Sequence, residues 1–239
     1  MTASFDHARH WYFLAIGGDL QQKLRGMFAQ LAGGEAIAFE QQKVMQLVQP
    51  EGDLRCSFLL RNEQFVAAYP LVLDGFGWPL RIHDTLTWPD GIQANLMAKC
   101  DDFDICLFDT QHFLHKESYV SGRERTFVVA ALAYKLFTTI YENDDQEFDL
   151  AGKKSFVPLR PDEGGGVDEL KFMSHVEAVR DVEFWGVRLV AYTVTLAESD
   201  EIPLRLEVFA HPSVCEKPFQ VGDPISGFAW LFGAAHGET

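Results

Sequence analysis

The chain contains near its C-terminal end the stretch Phe219-Gln-Val-Gly-Asp-Pro-Ile-Ser-Gly-Phe-Ala-Trp-Leu-Phe-Gly233. One hundred residues earlier lies Tyr119-Val-Ser-Gly-Arg-Glu-Arg-Thr-Phe-Val-Val-Ala-Ala-Leu-Ala133, which has the same pattern. Each stretch begins with an aromatic residue, reaches a glycine after two residues, bends through polar residues and ends in an apolar run. Pro224 and Gly227 disfavour a long helix, so we predict strands for Ile225–Phe232 and for Phe127–Phe137.

Two predicted hairpins repeat the same offset. Ile92–Ala98 and Asp104–Phe108 alternate between apolar and polar residues around an acidic turn, a pattern that is typical of a β-hairpin. Tyr192–Ala197 and Leu204–Phe209 flank a second acidic turn about one hundred residues later. The sequence therefore predicts an internal duplication, in which each copy contains a hairpin and ends in a long strand.

The N-terminal part predicts one helix followed by short strands. Asp19 is a suitable N-cap for a segment whose apolar residues recur at helical spacing until Gly33. The pattern then changes to apolar alternation, with turn signals at 50–53, 61–63 and 75–79. The remaining segments with strand-like patterns are Ala36–Leu47, Leu54–Leu60, Phe65–Leu73, Phe172–Val179 and Phe184–Val190.

The segment 170–233 resembles the small Greek-key barrels of the OB type, on the basis of a turn at Trp185-Gly186 and the bend Val221-Gly-Asp-Pro224 before a late strand. A weaker version of this pattern covers 80–137. The resemblance implies a mainly β protein that is α+β at its N-terminus. It would contain two related OB-like barrels or barrel-like sheets in tandem, plus one N-terminal helix. The second half shows four good strands where an OB barrel has five, so the halves either are open barrels packed on each other or share strands.

A polar, glycine-rich stretch, Arg160–Gly166, marks the boundary between the two predicted units. We assign 1–150 to the N-terminal helix and the strands that lead into the first barrel-like domain. The segment 151–169 is assigned to a linker, and 170–239 to the second OB-like barrel domain.

The composition limits the class of partner. There are 35 Asp and Glu against 20 Lys and Arg, and the net charge of −15 disfavours binding to nucleic-acid phosphates. None of the four cysteines forms a Cys-x-x-Cys pair, which favours free thiols. No run reaches the roughly 20 apolar residues of a membrane span, and no signal-peptide pattern is present. We therefore expect a soluble, cytoplasmic protein with no membrane partner.

One loop contains candidate metal ligands. Asp109, His112 and His115 directly follow a predicted strand, and a carboxylate with two imidazoles suits Zn²⁺ or a similar ion. His7 and His10 form a second His-x-x-His pair, but they lie near an end that we expect to be mobile. We assign no site to that pair.

No catalytic motif is present. His83-Asp84 has no nucleophile paired to it by a motif, and the acidic run Glu142–Asp149 lacks EF-hand spacing. We predict no catalytic residues and no cofactor, with Zn²⁺ as the metal to test. Trp230 is expected to fill core rather than to bind a ligand.

The duplication, the aromatic residues and the acidity predict a non-catalytic protein-interaction module that uses a barrel face or a sheet edge. The expected partner is an unidentified protein, and homo-oligomer formation is left open. One alternative is a metal-dependent enzyme or metal-binding protein that uses Asp109, His112 and His115. A second alternative is an acidic decoy that occupies a nucleic-acid-binding protein by imitating phosphate charge.

Overall fold

The computed structural model describes residues 7–14, 19–31, 35–39, 43–119, 122–138, 154–159, 165–198 and 202–236. These residues form a mainly β protein with a few short helices. The helices are α1 (Ala8–Phe13), α2 (Leu20–Gln30) and α3 (His112–His115). The strands are β1 (Glu35–Phe39), β2 (Val44–Val48), β3 (Arg55–Arg61), β4 (Gln64–Leu71), β5 (Gly77–Thr87), β6 (Ala94–Cys100), β7 (Phe103–Asp109), β8 (Glu124–Phe137), β9 (Ser155–Pro158), β10 (Glu169–Phe184), β11 (Val187–Thr195), β12 (Arg205–Ala210) and β13 (Pro224–Ala235).

The smaller of the two sheets is antiparallel and has the order β1-β2-β3-β4. α2 packs on one face of this sheet, where Phe28 contacts Phe58 with 5.6 Å between ring centroids. The helix begins after Asp19, whose Oδ1 accepts a hydrogen bond from the backbone N–H of Gln22. That bond satisfies one of the donors that the first helical turn leaves unpaired.

α1 lies against the end of the smaller sheet, beside β4. Trp11 donates from Nε1 to the carbonyl oxygen of Ala68 over 3.0 Å, which occupies a backbone group on the terminal strand. A buried amide joins this sheet to the larger one, because Gln46 Nε2 donates to Ser57 Oγ over 2.8 Å and to the carbonyl oxygen of Thr110 over 3.0 Å. Helix and sheet are thereby fixed to the larger sheet.

β8 and β13 form the centre of the larger sheet. They pair antiparallel from Phe127 opposite Ala235 to Phe137 opposite Ser226, and we call this pair the β8–β13 ribbon. On its other edge β8 pairs antiparallel with β5 and parallel with β12. β13 pairs in the same manner, antiparallel with β10 and parallel with β7. β9 pairs with β10 at the edge of the sheet.

These pairings close two circuits of five strands, β5-β6-β7-β13-β8 and β10-β11-β12-β8-β13. The units β5–β8 and β10–β13 have the same order of pairings, as their repeated sequence pattern predicts. The halves share strands, since β8 and β13 belong to both circuits. Separate OB-like barrels in tandem are not confirmed, and the proposed division at 151–169 stays a prediction.

The β8–β13 ribbon separates two hydrophobic layers. Alternate residues such as Val129, Ala131 and Leu231 pack with side chains from all the other strands of both circuits, and we call this layer the inner core. The opposite face, which includes Trp230 and Phe232, belongs to a cluster that also contains residues of α1, α2 and the smaller sheet, and we call this layer the outer core. The exposed fraction of Trp230 is 0%, which confirms its predicted place in the core.

Several predicted elements are confirmed: α2, both hairpins, and the strands at Phe127–Phe137 and Ile225–Phe232. The predicted separation of the strands Phe172–Val179 and Phe184–Val190 is wrong, because β10 continues through 180–183. The chain turns only at Trp185-Gly186, where both residues have positive φ. The turn signal at 75–79 also predicts a break, but β5 begins inside this segment. Pro79 is tolerated there because β5 pairs with β8 alone at this position. The pairing of β5 with β6 begins only at Arg81.

The sequence pattern does not predict α1, and the segment predicted as the loop of Asp109, His112 and His115 contains α3. The acidic run Glu142–Asp149 lies outside the described residues, as do Gly33 and most of the stretch Arg160–Gly166. No helix among the described residues is both long and apolar enough to cross a membrane.

Candidate functional site

A cluster of rings and polar groups lies under α1, on the outer face of the β8–β13 ribbon. His7 and His10 are each 6% exposed. His10 stacks on Trp230 with 3.9 Å between ring centroids and 9° between planes, and His7 stacks on Trp88 at 4.7 Å. We define the imidazole cluster as His7, His10, Trp88, Gln93, Asn95, Tyr134, Asp168, Glu169 and Trp230.

Tyr134 connects His10 to Glu169. Its hydroxyl lies 2.8 Å from His10 Nδ1 and donates to Glu169 Oε1 over 2.8 Å. The single hydroxyl proton of Tyr134 is donated to Glu169, so Nδ1 of His10 carries the proton of the other bond. Arg9 lies 3.0 Å from Glu169 Oε1 and balances its charge. Burial and the neighbouring Glu169 carboxylate raise the pKa of Tyr134 far above its ordinary value, so its hydroxyl stays protonated.

Asp168 holds Trp230 and the start of β6 together. Its Oδ2 accepts hydrogen bonds from Trp230 Nε1 and Asn95 Nδ2, each over 2.7 Å. Asn95 in turn accepts from the indole N–H of Trp88. Burial raises the pKa of Asp168 to about 6, although these two donors act in the opposite direction. The carboxyl therefore changes its protonation state within about a unit of neutral pH.

His7 is held by the loop between β5 and β6. Its Nε2 lies 2.8 Å from Gln93 Oε1, and the amide of Gln93 donates to Asp90 Oδ2. Asp90 also accepts from the backbone N–H groups of Ile92 and Gln93, which shapes the loop as an Asx turn. The turn directs the Gln93 amide toward α1.

The chemistry that this cluster offers is proton binding. Burial lowers the pKa of His10 well below its ordinary value, and the charges of His7 and Arg9 add to that effect. The Tyr134 hydroxyl therefore links the neutral imidazole of His10 to the Glu169 carboxylate. The Trp230 indole lies between His10 and Asp168, whose carboxyl titrates near pH 6. No three His, Cys, Asp or Glu residues in the described part of the chain are grouped so as to hold a metal ion.

The predicted metal ligands lie at the end of β7 and on α3. Asp109 and His112 are buried, whereas His115 is partly exposed. Asp109 Oδ2 accepts from the hydroxyl of Tyr119 and lies 3.8 Å from His112 Nδ1. Burial lowers the pKa of His115, partly offset by Asp109. The fold thus places Asp109 beside His112 but does not gather all three described residues into a metal-binding group.

The imidazole cluster was missed by sequence reasoning. The available signal was His7-x-x-His10, which is the spacing of neighbours on one helical face, in front of the aromatic residues 11–13. Nothing in the local sequence around Asp168 indicates its contact with Trp230. The other pair considered, His83-Asp84, lies on β5 with His83 exposed.

No protein-family model matches the chain, and neither a curated protein nor a solved structure matches it. The function is therefore inferred from the geometry of the chain alone.

Proposed function

We propose that the protein is a non-catalytic interaction module that binds another protein through the outer face of its smaller sheet. The supporting observation is a group of three large apolar side chains that remain exposed there: Phe28, Met45 and Phe65, which are 37%, 38% and 56% exposed. We call them the apolar patch. Single exposed apolar residues are ordinary, but adjacent ones on a rigid sheet are typical of protein-binding surfaces.

The register of the sheet places Met45 and Phe65 in one row, and α2 adds Phe28 beside them. Met45 of β2 is opposite Leu60 of β3, and Leu60 is opposite Phe65 of β4, so the three form one row across the sheet. Phe58 lies beside this row, with its ring 6.3 Å from that of Phe65 and 5.6 Å from that of Phe28. Phe58 is fully buried, which gives the patch a fixed floor.

Paired substitutions test this proposal. Phe28→Ser with Phe65→Ser removes the aromatic surface, and Val221→Ser is the matched control because Val221 is 66% exposed elsewhere on the molecule. A partner recovered from native lysate would be identified, purified and titrated against each variant by calorimetry. We expect the double variant to weaken binding at least about tenfold, which corresponds to about 1.4 kcal/mol, and the control to bind like the wild type.

Two results would contradict the proposal: failure to recover any partner at physiological salt, or unchanged affinity in the double variant. Sedimentation over a range of protein concentrations distinguishes a foreign partner from a second copy of the chain. Self-association that the double variant abolishes would identify the partner as the chain itself.

The proposal retains the interpretation that each five-strand circuit is a barrel-like sheet of the OB type. It is supported by the number of strands, since the fifth strand of each circuit comes from the other half of the chain. The second half therefore shows four strands of its own, as its sequence does.

A second candidate function is metal binding at Asp109 and His112. It is favoured by His112 Nδ1, which is buried with no hydrogen-bond partner among the described residues and lies 3.8 Å from Asp109 Oδ2. A buried polar atom of this kind is uncommon and calls for a ligand or another explanation. His115, one helical turn beyond His112, would be the third ligand if α3 moved.

Metal analysis and thermal unfolding test this candidate. Zn²⁺ or Mn²⁺ should raise the midpoint of thermal unfolding of the wild type and have no effect on His112→Gln. Absence of bound transition metal in purified protein, together with no shift on adding either ion, would remove the candidate.

A further inference from the structure

We propose that α1 is an acid-sensitive latch, in which protonation of His10 releases α1 from the β8–β13 ribbon and uncovers Trp230 together with the outer edge of β4. His10 is buried against Trp230 of the ribbon, and α1 covers that residue and the outer edge of β4. The latch is independent of the apolar patch, in which the exposed Phe28 of α2 lies beside the exposed Met45 and Phe65 of the smaller sheet.

The docked position of His10 accommodates one ring proton and not two. The proton on Nδ1 is required by the bond to Tyr134, whose own proton goes to Glu169. A second proton would have to bind Nε2 of a ring that is 6% exposed and stacked on Trp230 at 3.9 Å. An imidazolium in that position loses most of its hydration.

The described charges around His10 do not compensate a second proton. Among the residues that the structure describes, the charged and titratable groups around His10 and its neighbour His7 are Arg9 and His7 on their own segment, Tyr69 on β4, Asp90 after β5, Tyr134 on β8, Asp168 before β10 and Glu169 on β10, and Asp109 on β7 acts on Tyr69.

Two of these groups are positive or become positive, namely Arg9 and His7, whose ring centroid is 5.6 Å from that of His10. Glu169 already receives Arg9, the Tyr134 hydroxyl and the backbone N–H of Gly166. Burial and these positive neighbours accordingly lower the pKa of His10.

Asp168 loses its negative charge as the pH falls through about 6. Its pKa is raised to about 6 by burial, and its Oδ2 bonds to the same Trp230 ring on which His10 stacks. As the pH falls, the carboxylate that could attract an imidazolium becomes neutral. Protonated Asp168 offers no charge to an imidazolium, whereas its own raised pKa favours the buried carboxyl at low pH, so the acid-dependent release of α1 is assigned to His10 alone.

The direction of the effect follows from linkage. The pKa of His10 is lower in the docked state than its ordinary 6.5, so the released state binds the proton more tightly. Docking is then fully favourable above about pH 6.5 and weakens as the pH falls from there toward the docked pKa. One proton corresponds to a tenfold change in the docking equilibrium for each pH unit within that window.

α1 covers specific features of the ribbon and the smaller sheet. Trp11 Nε1 bonds to the carbonyl oxygen of Ala68 on the terminal strand β4, and His7 packs on the rings of Tyr69 and Phe108. Release would expose a strand edge and a group of aromatic rings. The latch thus links proton concentration to the accessibility of a surface that can pair with another strand.

The experiment uses the full chain and follows hydrogen exchange of the Trp11 indole N–H by ¹⁵N NMR from pH 8 to pH 5, corrected for the intrinsic rate. We expect its protection to fall by up to tenfold for each pH unit below about 6.5. His10→Phe keeps a stacking ring that binds no proton and should remove this dependence. The control His83→Phe changes an exposed histidine on β5 and should keep it.

Protection of Trp11 that stays constant between pH 8 and pH 5 in the wild type would overturn the proposal. So would a pH dependence in His10→Phe equal to that of the wild type. If His10→Phe does not dock at pH 8, His10→Gln takes its place, because its amide can still donate to Tyr134. If neither variant docks, the wild-type titration alone decides, with the His10 ring expected to stay neutral well below pH 6.5.

Discussion

The two faces of the β8–β13 ribbon are buried by different kinds of neighbours. On the inner face, Ala131 and Leu231 pack among aliphatic side chains from both circuits, such as Leu107. On the outer face, Trp230 and Tyr134 pack against two histidines and hydrogen-bond to carboxylates. The inner face therefore depends on packing that is insensitive to pH, whereas the outer face depends in addition on groups that titrate.

The two strands also differ at equivalent positions. Phe108 pairs with Phe232 in one circuit, and Phe209 pairs with Leu132 in the other, so Leu132 and Phe232 are equivalent. Two residues earlier, β8 has Ala130 where β13 has Trp230. The repeated units share a backbone arrangement, and the imidazole cluster lies where their side chains differ most in size. The repeated strand pairings therefore set the backbone arrangement, and the imidazole cluster depends on side chains that differ between the two units.

Leu231→Ala is expected to have the largest effect, because it leaves a cavity in the inner core at the centre of the ribbon. Leu231 is 2% exposed and opposite Ala131, which is too small to fill the space. We expect the free energy of unfolding to fall by about 3–4 kcal/mol, equally at pH 5 and pH 8. Urea denaturation at both pH values measures this. A loss that differs by more than about 1 kcal/mol between the two pH values would contradict the assignment of a pH-insensitive inner face.

Trp230→Phe tests the outer face at the neighbouring residue. The substitution removes packing and the indole N–H that donates to Asp168 over 2.7 Å. A hydrogen bond to a charged group contributes about 1.5–3 kcal/mol, so we expect a loss of about 3 kcal/mol at pH 8 and about 1 kcal/mol less at pH 5, where Asp168 is protonated. The same denaturation series provides the comparison. An equal loss at both pH values would show that the indole does not stabilise the carboxylate.

Local sequence signals predicted much of the ribbon. Pro224 and Gly227 indicated a strand at Ile225–Phe232, and the apolar alternation around the turn at 99–103 indicated the first hairpin. α1 escaped prediction because it is only six residues long and its N-cap, His7, makes no side-chain capping bond. The sharing of β8 and β13 escaped because strand pairing depends on contacts that no local pattern encodes.

The candidate site could not be assembled from sequence for a similar reason. Tyr134 and His10 are 124 residues apart in the chain, and Trp230 and Asp168 are 62 apart. Each of these residues has an ordinary local pattern, and Tyr134 and Trp230 are typical core residues of a strand. Their polar atoms meet only when two strands and a short helix pack together, which makes the cluster a property of the tertiary fold.

Asp168→Asn isolates the titrating carboxyl of the outer face. The folded-state pKa of about 6 lies above the ordinary 3.8, so the stability contributed by Asp168 is full below pH 3.8 and is lost as the pH rises through 6. Asparagine keeps an oxygen that can accept from Trp230 and Asn95 and has no charge. We compare the free energy of unfolding of Asp168→Asn with that of the wild type. This difference should shift in favour of the variant by about 2 kcal/mol as the pH rises from about 4 to about 7.5. A constant difference across that range in urea denaturation would refute the raised pKa.

Trp11→Phe should have the smallest measurable effect, and it sharpens the comparison at the edge of the outer core. Trp11 is 2% exposed, and its indole N–H bonds to Ala68 on β4, whereas the next residue, Tyr12, is 69% exposed. Loss of that one neutral hydrogen bond, with the ring largely retained, should lower the free energy of unfolding by about 1 kcal/mol. Tyr12→Ser is the matched control, with an expected change within about 0.5 kcal/mol. If both variants changed stability equally, α1 would owe its position to general burial of its aromatic residues. If Trp11→Phe alone is destabilising, the bond to the strand edge is what holds α1 against the smaller sheet, and with it the two histidines over Trp230.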